Sequence, residues 1–105
     1  MIYKLLRPAE WASMKDAGTL AGSPADLRDG FIHFSTAEQV RETAAKHFAG
    51  EPELVLAEVD PAKLSQELRW EPSRGGQLFP HLYAPLPASA VVRTWTIQGG
   101  RFPDL

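Results

Sequence analysis

Two histidines lie in short apolar segments whose composition is typical of β-strands. His33 follows Phe-Ile, and His81 follows Phe-Pro. Because strand side chains alternate between faces, His33 shares a face with Ser35, and His81 shares a face with Tyr83. An imidazole exchanges protons near neutral pH, so two of them in one cleft can serve as general acid and general base. We predict His33 and His81 as a catalytic pair; the alternative is that both are structural histidines.

The segment after the first histidine predicts the start of a helix. Ser35 is followed three residues later by Glu38, which is the spacing of a capping box, and Gly50 is placed to end the helix. Apolar residues recur at helical spacing between them, at Ala37, Val40, Ala44 and Phe48. Since unpaired N–H groups at a helix start attract anions, Ser35 is also a candidate ligand-binding residue.

Two arginines come shortly before the second histidine. Arg69 precedes Trp70, and Arg74 stands in a Ser-Arg-Gly-Gly turn. A guanidinium donates two parallel hydrogen bonds to phosphate or carboxylate, so we predict that Arg69 and Arg74 hold a phosphate. The alternative is an ordinary hairpin turn with solvated charges. We expect Glu71 to be a surface or paired carboxylate. No local spacing of histidines and carboxylates predicts a metal site.

Composition limits the class of protein and its partners. The chain has 105 residues, which suits one domain, with 44% hydrophobic and 23% charged residues. It has no cysteine, which excludes thiol chemistry and disulfides. The formal net charge of -2 argues against binding extended nucleic acid or anionic membranes. With no long apolar run, we expect a cytoplasmic protein; the oligomeric state is left open.

The order of predicted elements indicates an α+β domain. Strands are predicted at 2–6, 31–34, 53–59, 66–71, 78–83 and 89–97, with helices at 8–17 and after Ser35 and an irregular loop at 18–30. Helices come early and strands late, which suggests a small antiparallel sheet that is bent or split into two halves. Pro80 should confine its strand to an edge or a strand start. Residues 99–105 are expected to form a loose tail.

Four segments together resemble a known family. They are DGFIHFST at 29–36, RWE at 69–71, FPHLY at 79–83 and PLP at 85–87. This combination resembles the domain-of-unknown-function family 952, and the resemblance extends from Ile2 to about Thr96. The family brings no established activity.

The family's fold is similar to that of the ADP-ribosyltransferases, in which two bent antiparallel sheet halves enclose an NAD cleft. The resemblance implies cleft positions near Tyr3 and Lys4, at 33–35, and at His81. Lys4 stands where such transferases carry a first histidine, and His81 stands where they carry a late glutamate. Histidines with arginines are closer to the RNA phosphotransferase branch of the fold. Tyr3 and Trp70 are predicted to wall the site, and Lys4 and Tyr83 are further predicted ligand-binding residues.

Three functions are compatible with these residues. The first is a small transferase or hydrolase, or a ligand-binding domain, that takes a phosphate-bearing nucleotide such as NAD or ADP-ribose in a cleft of histidines and arginines. The second is a non-catalytic module that binds a protein or a small anion and has structural histidines. The third is a histidine-pair phosphoesterase acting on RNA ends. No cofactor is predicted with certainty; NAD or a related nucleotide is the candidate.

Overall fold

The computed structural model describes all 105 residues except the side chain of Arg74. The helices are α1 (Pro8–Ala17), α2 (Pro24–Asp29) and α3 (Val40–His47). The strands are β1 (Ile2–Leu6), β2 (Thr19–Leu20), β3 (Ile32–His33), β4 (Glu53–Val59), β5 (Leu68–Pro72), β6 (Leu78–Leu82), β7 (Leu86–Pro87) and β8 (Val91–Gln98). Short 3-10 turns cover Pro61–Lys63, Arg74–Gly76 and Ala88–Ala90. The α+β prediction is confirmed.

The strands form two three-stranded antiparallel sheets and one two-stranded sheet. β4 is central in the order β1-β4-β8, β6 is central in the order β3-β6-β5, and β2 pairs with β7. An isolated antiparallel bridge between Tyr3 and Ser35 joins the first sheet to the second. The predicted split sheet is therefore present, and the junction at Ser35 brings β1 beside β3.

In the first sheet, β1 and β4 are buried on both faces, which explains their apolar runs. Alternate residues of these strands enter two separate hydrophobic clusters. One cluster contains Ile2, Leu6, Val55, Ala57 and Val59, and also Met14 of α1 and Ile32 of β3. The other contains Tyr3, Leu5, Leu54 and Leu56, and also Val40 of α3 and Ile97 of β8. The helices α1 and α3 thus contact different clusters, which fixes the position of β1 between them.

The predicted loop at 18–30 is wrong, because it contains β2 and α2. Ser23 caps α2: its hydroxyl accepts from the backbone N–H of Asp26 at 3.2 Å, while the Asp26 carboxylate accepts from the backbone N–H of Ser23 at 2.9 Å. Pro24 takes the first helical position, where its missing N–H costs nothing. Gly30 ends the helix with φ of 87°. The sequence therefore contains the capping serine, the proline and the glycine that a short helix needs. A helix of six residues is too short to be stable alone, so tertiary contacts decide whether it forms.

The predicted capping box at Ser35 is also wrong. The backbone of Ser35 exchanges two hydrogen bonds with Tyr3, at 2.8 and 2.9 Å, which holds Ser35 in the bridge rather than at a helix start. A turn over 36–39 follows, and the N–H of Thr36 donates to the Gln39 side chain at 3.0 Å. The helix α3 begins only at Val40. The expected group of unpaired N–H donors beside Ser35 is therefore not formed.

Two further expectations differ from the structure. Pro80 lies in the central strand β6 instead of at an edge, and its carbonyl accepts from the N–H of Phe34 at 3.0 Å. In an antiparallel sheet, the N–H and C=O of one residue point to the same neighbouring strand. The side of Pro80 that lacks an N–H therefore faces β3, at a position beyond the last residue pair of β3 and β6, His33 with His81. In the expected loose tail, Phe102 is half-buried against the cluster of Tyr3, and Arg41 donates to the Pro103 carbonyl at 2.8 Å.

Within the described part of the chain, no helix combines the length and the apolar character that crossing a membrane requires.

Candidate functional site

The two predicted histidines face each other across neighbouring strands. His33 of β3 and His81 of β6 are directly opposite in the antiparallel register, and such positions project from the same face of a sheet. Their ring centroids are 5.6 Å apart, with the ring planes at 67°. Both side chains line a pocket of about 700 Å³. The pairing of β3 with β6 thus brings both imidazoles to one cavity.

A buried carboxylate holds the first histidine. Asp26 is 2% exposed, and its Oδ1 accepts from Nδ1 of His33 at 2.6 Å and from the His33 backbone N–H at 3.1 Å. Its Oδ2 accepts from Nζ of Lys4 at 2.9 Å. Burial alone would raise the pKa of the Asp26 carboxyl, but the hydrogen bond from His33 and the charge of Lys4 bring this pKa below its usual range. Asp26 is therefore an ionised anchor that fixes Nδ1 of His33 as a donor.

Lys4, a predicted ligand-binding residue, is the other half of this anchor. It lines the pocket and is 5% exposed, and Asp26 is its ion-pair partner. Burial lowers the pKa of the Lys4 ammonium group, and the Asp26 carboxylate opposes that effect. The ion pair neutralises both charges, so Lys4 does not present an unpaired cation to the pocket. Its hydrogen bonds hold Asp26 in position instead.

A second carboxylate holds the second histidine. Nδ1 of His81 bonds to Oε1 of Glu71 at 2.8 Å, and the Tyr83 hydroxyl donates to the same oxygen at 2.7 Å. The bonds from Tyr83 and His81 lower the pKa of Glu71. Phe31 stacks on the His81 ring, with centroids 4.1 Å apart. Nε2 of His81 has no hydrogen-bond partner among the described residues. With Nδ1 donating, a neutral His81 carries an unshared lone pair on Nε2.

The first histidine has a further partner on its other nitrogen. Nε2 of His33 lies 2.9 Å from Oδ2 of Asp29, the last residue of α2. Asp29 also accepts from Nε of Arg28 at 3.1 Å. The Arg28 hydrogen bond and the neighbouring charges of Arg28 and His33 lower the pKa of Asp29. Both ring nitrogens of His33 thus lie beside carboxylates, whereas only Nδ1 of His81 does among the described residues, so the two histidines have different environments.

Hydroxyl groups form another part of the pocket wall. Oγ of Ser35 and Oγ1 of Thr43 are hydrogen-bonded at 2.9 Å, and both residues line the pocket with Tyr3. The Tyr3 hydroxyl itself donates to Glu58 at 2.7 Å. Burial and this hydrogen bond raise the pKa of Tyr3 to about 12, so its phenol is neutral in the physiological range. Tyr3 is thus a wall residue whose polar end is already occupied.

The structure places three of the remaining predicted residues, Arg69, Trp70 and Tyr83, outside the pocket. Arg69 lies with its guanidinium 5.5 Å above the ring of Tyr83, and neither residue lines the cavity. Trp70 is 48% exposed and pairs with Pro80, so it projects from the face opposite to His81. The side chain of Arg74 lies outside the described residues. Tyr83 still serves the site indirectly, through the carboxylate that orients His81.

Several residues of the pocket were not predicted from the sequence. Asp26 is the most important, and the Ser-Pro-Ala-Asp spacing at 23–26 was the one local signal for it. Among the described side chains, the arginines that line the pocket are Arg7 and Arg28, and Arg69 does not. His47 also lines the wall, although it is exposed near the end of α3. Within the described residues, no cluster of three or more histidine and carboxylate side chains is arranged to hold a metal ion.

The chain is closely similar to a bacterial protein of known structure. The crystal structure of protein CC0527 from Caulobacter crescentus is 53% identical, with a TM-score of 0.87 over 90% of this chain and 83% of that protein. The solution NMR structure of the same protein gives 52% identity and a TM-score of 0.82 over 92% of this chain and 84% of that protein. No curated protein matches the chain.

A family model covers most of the sequence, including the strands β3 and β6 that carry the two histidines. It matches residues 5–94 and is described as a protein of unknown function, DUF952. This match confirms the family predicted from the four sequence segments. The chain therefore belongs to the DUF952 family.

Proposed function

We propose that the pocket binds a small phosphate-bearing nucleotide, such as NAD or ADP-ribose, and that His33 and His81 exchange protons with it. One observation carries the proposal: two imidazoles face each other with centroids 5.6 Å apart, and a carboxylate holds Nδ1 of each. Fixed imidazoles with different surroundings are suited to opposite halves of an acid–base reaction. The pocket volume of about 700 Å³ lies within the range of small-molecule sites.

The environments of the two rings support opposite roles for them. Nε2 of His81 has no hydrogen-bond partner among the described residues, so a neutral His81 can accept a proton from an attacking water or hydroxyl group. His33 lies between two carboxylates, and a proton carried on its Nε2 can pass to the oxygen that leaves. After the reaction His81 carries an added proton and His33 lacks one, and both rings regain their starting protonation by exchanging protons with water.

Anion binding would use two arginines of the pocket wall that were not predicted from the sequence. Arg7 and Arg28 line the pocket, while Lys4 is neutralised by its ion pair. Both arginines already contact carboxylates, Arg7 with Glu51 at 2.7 Å and Arg28 with Asp29 at 3.1 Å. A phosphate would compete for these guanidinium groups through charge-assisted hydrogen bonds. Arg69 is not needed in this arrangement.

The apolar part of the wall suits a flat ring system. Phe34 and Phe79 line the pocket, and each is nearly buried. An aromatic wall beside polar groups is typical of sites that hold a base or a nicotinamide ring. The resemblance to the ADP-ribosyltransferase fold supports the same ligand by analogy, because that fold encloses an NAD cleft.

Calorimetric titration tests the proposal directly. The wild-type protein is titrated with NAD, ADP-ribose and nucleoside monophosphates at physiological salt. We expect binding tighter than millimolar for at least one of them, weaker binding in Arg28→Gln, and unchanged binding in the matched control Arg69→Gln. The proposal fails if none of these compounds binds, or if the Arg69 variant loses binding and the Arg28 variant keeps it.

A non-catalytic module is the second candidate, and the bonding of His33 favours it. Both ring nitrogens of His33 contact carboxylates, which is also what a structural histidine does. Incubation of the protein with NAD and with a short phosphate-ended oligonucleotide, followed by chromatography, separates the possibilities. A product that disappears in His81→Ala supports chemistry on one of the two substrates. Ligand binding without any product, unaltered in affinity by His81→Ala, supports the module.

A further inference from the structure

The two carboxylates on His33 differ in how firmly they are held. Asp26 is buried and accepts hydrogen bonds from Lys4 and from the backbone of Ser23 as well as from His33. Asp29 is bonded only at the surface: 35% of its side chain is exposed, and its partners His33 and Arg28 are 37% and 74% exposed. Exposed ion pairs contribute little stability, so the contact of Asp29 can be exchanged at small cost.

The contacts of Asp29 have the chemistry of an anion site. Its Oδ2 lies 2.9 Å from Nε2 of His33, and its Oδ1 lies 3.1 Å from Nε of Arg28. An imidazole N–H and a guanidinium N–H that converge on two oxygens of one anionic group can bind a phosphate in the same way. All three residues line the pocket of about 700 Å³.

We propose that the Asp29 carboxylate occupies the phosphate subsite of the pocket and competes with the ligand for it. When the ligand binds, one of its phosphate oxygens takes the place of Asp29 on Nε2 of His33, and Arg28 transfers from Asp29 to the phosphate. Asp26 keeps its bond to Nδ1 throughout, so the ring does not turn. This inference rests on the proposed function and locates the ligand's phosphate within the same site.

The test compares affinities of charge-matched variants. Calorimetry measures the dissociation constants of ADP-ribose and of inorganic phosphate for wild type, Asp29→Asn and Asp29→Ala. Removing a unit negative charge beside a phosphate should tighten binding by about five-fold or more, even with strong solvent screening. Asp16→Asn is the control, because Asp16 is exposed on α1 and does not line the pocket. We expect the control to change affinity less than two-fold.

The outcomes separate this inference from the proposed function. If wild type binds and both Asp29 variants bind equally or more weakly, the subsite is overturned while the proposed function stands. Equal tightening in Asp16→Asn would also overturn the subsite, since the effect would then be one of net charge. If no variant binds either compound, the proposed function and the subsite both fail.

Discussion

Replacing Asp26 with asparagine should destabilise the protein more than any other conservative change in the pocket. The carboxylate is 2% exposed and accepts hydrogen bonds from Lys4, Ser23 and His33. In Asp26→Asn the ammonium group of Lys4 stays buried without a counter-charge. An amide NH2 group also replaces one carboxylate oxygen, so a donor would face N–H groups. Removing one partner of a buried ion pair costs about 3–5 kcal/mol.

This cost is large compared with the stability of a small domain. It amounts to at least about a fifth of a total free energy of unfolding of roughly 5–15 kcal/mol. With about 4 °C of thermal midpoint per kcal/mol at this chain length, Asp26→Asn should lower the midpoint by about 12–20 °C. Lys4→Met should cost less, because Asp26 would keep its hydrogen bonds from Ser23 and His33.

The loss should also depend on pH with a definite sign. The pKa of Asp26 is lowered in the folded protein, so its contribution is present above the unfolded value of about 3.9 and disappears as the pH falls below it. Urea unfolding followed by circular dichroism at pH 7, 5, 4 and 3 measures the difference between wild type and variant, with Asp16→Asn as the surface control. A loss below about 1 kcal/mol at pH 7, or a difference that does not shrink toward pH 3, would refute the anchor.

Three further predictions concern the surroundings of this anchor. Gly22→Ala should destabilise the protein by about 1–3 kcal/mol in urea unfolding, because the backbone at Gly22 has φ of 139° and the new Cβ would lie 2.7 Å from Cβ of Asp26. An unchanged unfolding midpoint would show that this turn relaxes. The pKa of Tyr3 is raised to about 12, so NMR of isotope-labelled tyrosine should show its phenol still neutral at pH 11. The contribution of Tyr3 to the free energy of unfolding should be lost only as the pH rises from about 10 through 12. Ionisation of Tyr3 near pH 10 would contradict the buried hydrogen bond. Glu71→Gln should leave the thermal midpoint near that of wild type, since the carboxylate is partly exposed. The nitrogen NMR chemical shifts of the His81 ring should report a changed tautomer. Unaltered ring shifts would mean that Glu71 does not orient His81.

Alternation within strands was sufficient to predict the face on which each histidine lies. His33 and His81 each share a face with the aromatic residue two positions earlier, and the β3–β6 pairing then places the two rings together. Trp70 shows the limit of the same rule. It is one residue before Glu71 in β5, and that single step puts it on the other face of the sheet, away from the pocket.

The anchor of the site depends on contacts between distant parts of the chain. Lys4, Asp26 and His33 belong to β1, α2 and β3, and no local pattern relates their spacing. A lysine in a buried strand is expensive unless it has a partner, so the apolar setting of Lys4 was evidence that some carboxylate must be nearby. The sequence could not say which one, because the partner is chosen by the packing of α2 over the second sheet.

Competition between local and tertiary signals accounts for the wrong helix start. The Ser35 and Glu38 spacing is a valid capping pattern, but two backbone hydrogen bonds with Tyr3 hold Ser35 in an extended bridge. The bridge also supplies the junction between the two sheets, so the fold gains more from the extended conformation at 35 than from an earlier helix start. Ser35 reaches the pocket as a partner of Thr43 instead of as a cap.

NMR of the two imidazoles during a titration with ADP-ribose shows whether His33 and His81 form one ligand site. We expect the ring signals of both histidines to shift together, with one dissociation constant, and Arg69→Gln to leave the titration unchanged. Ring signals that stay fixed at saturating ligand, or two histidines that respond with different dissociation constants, would contradict a single ligand site.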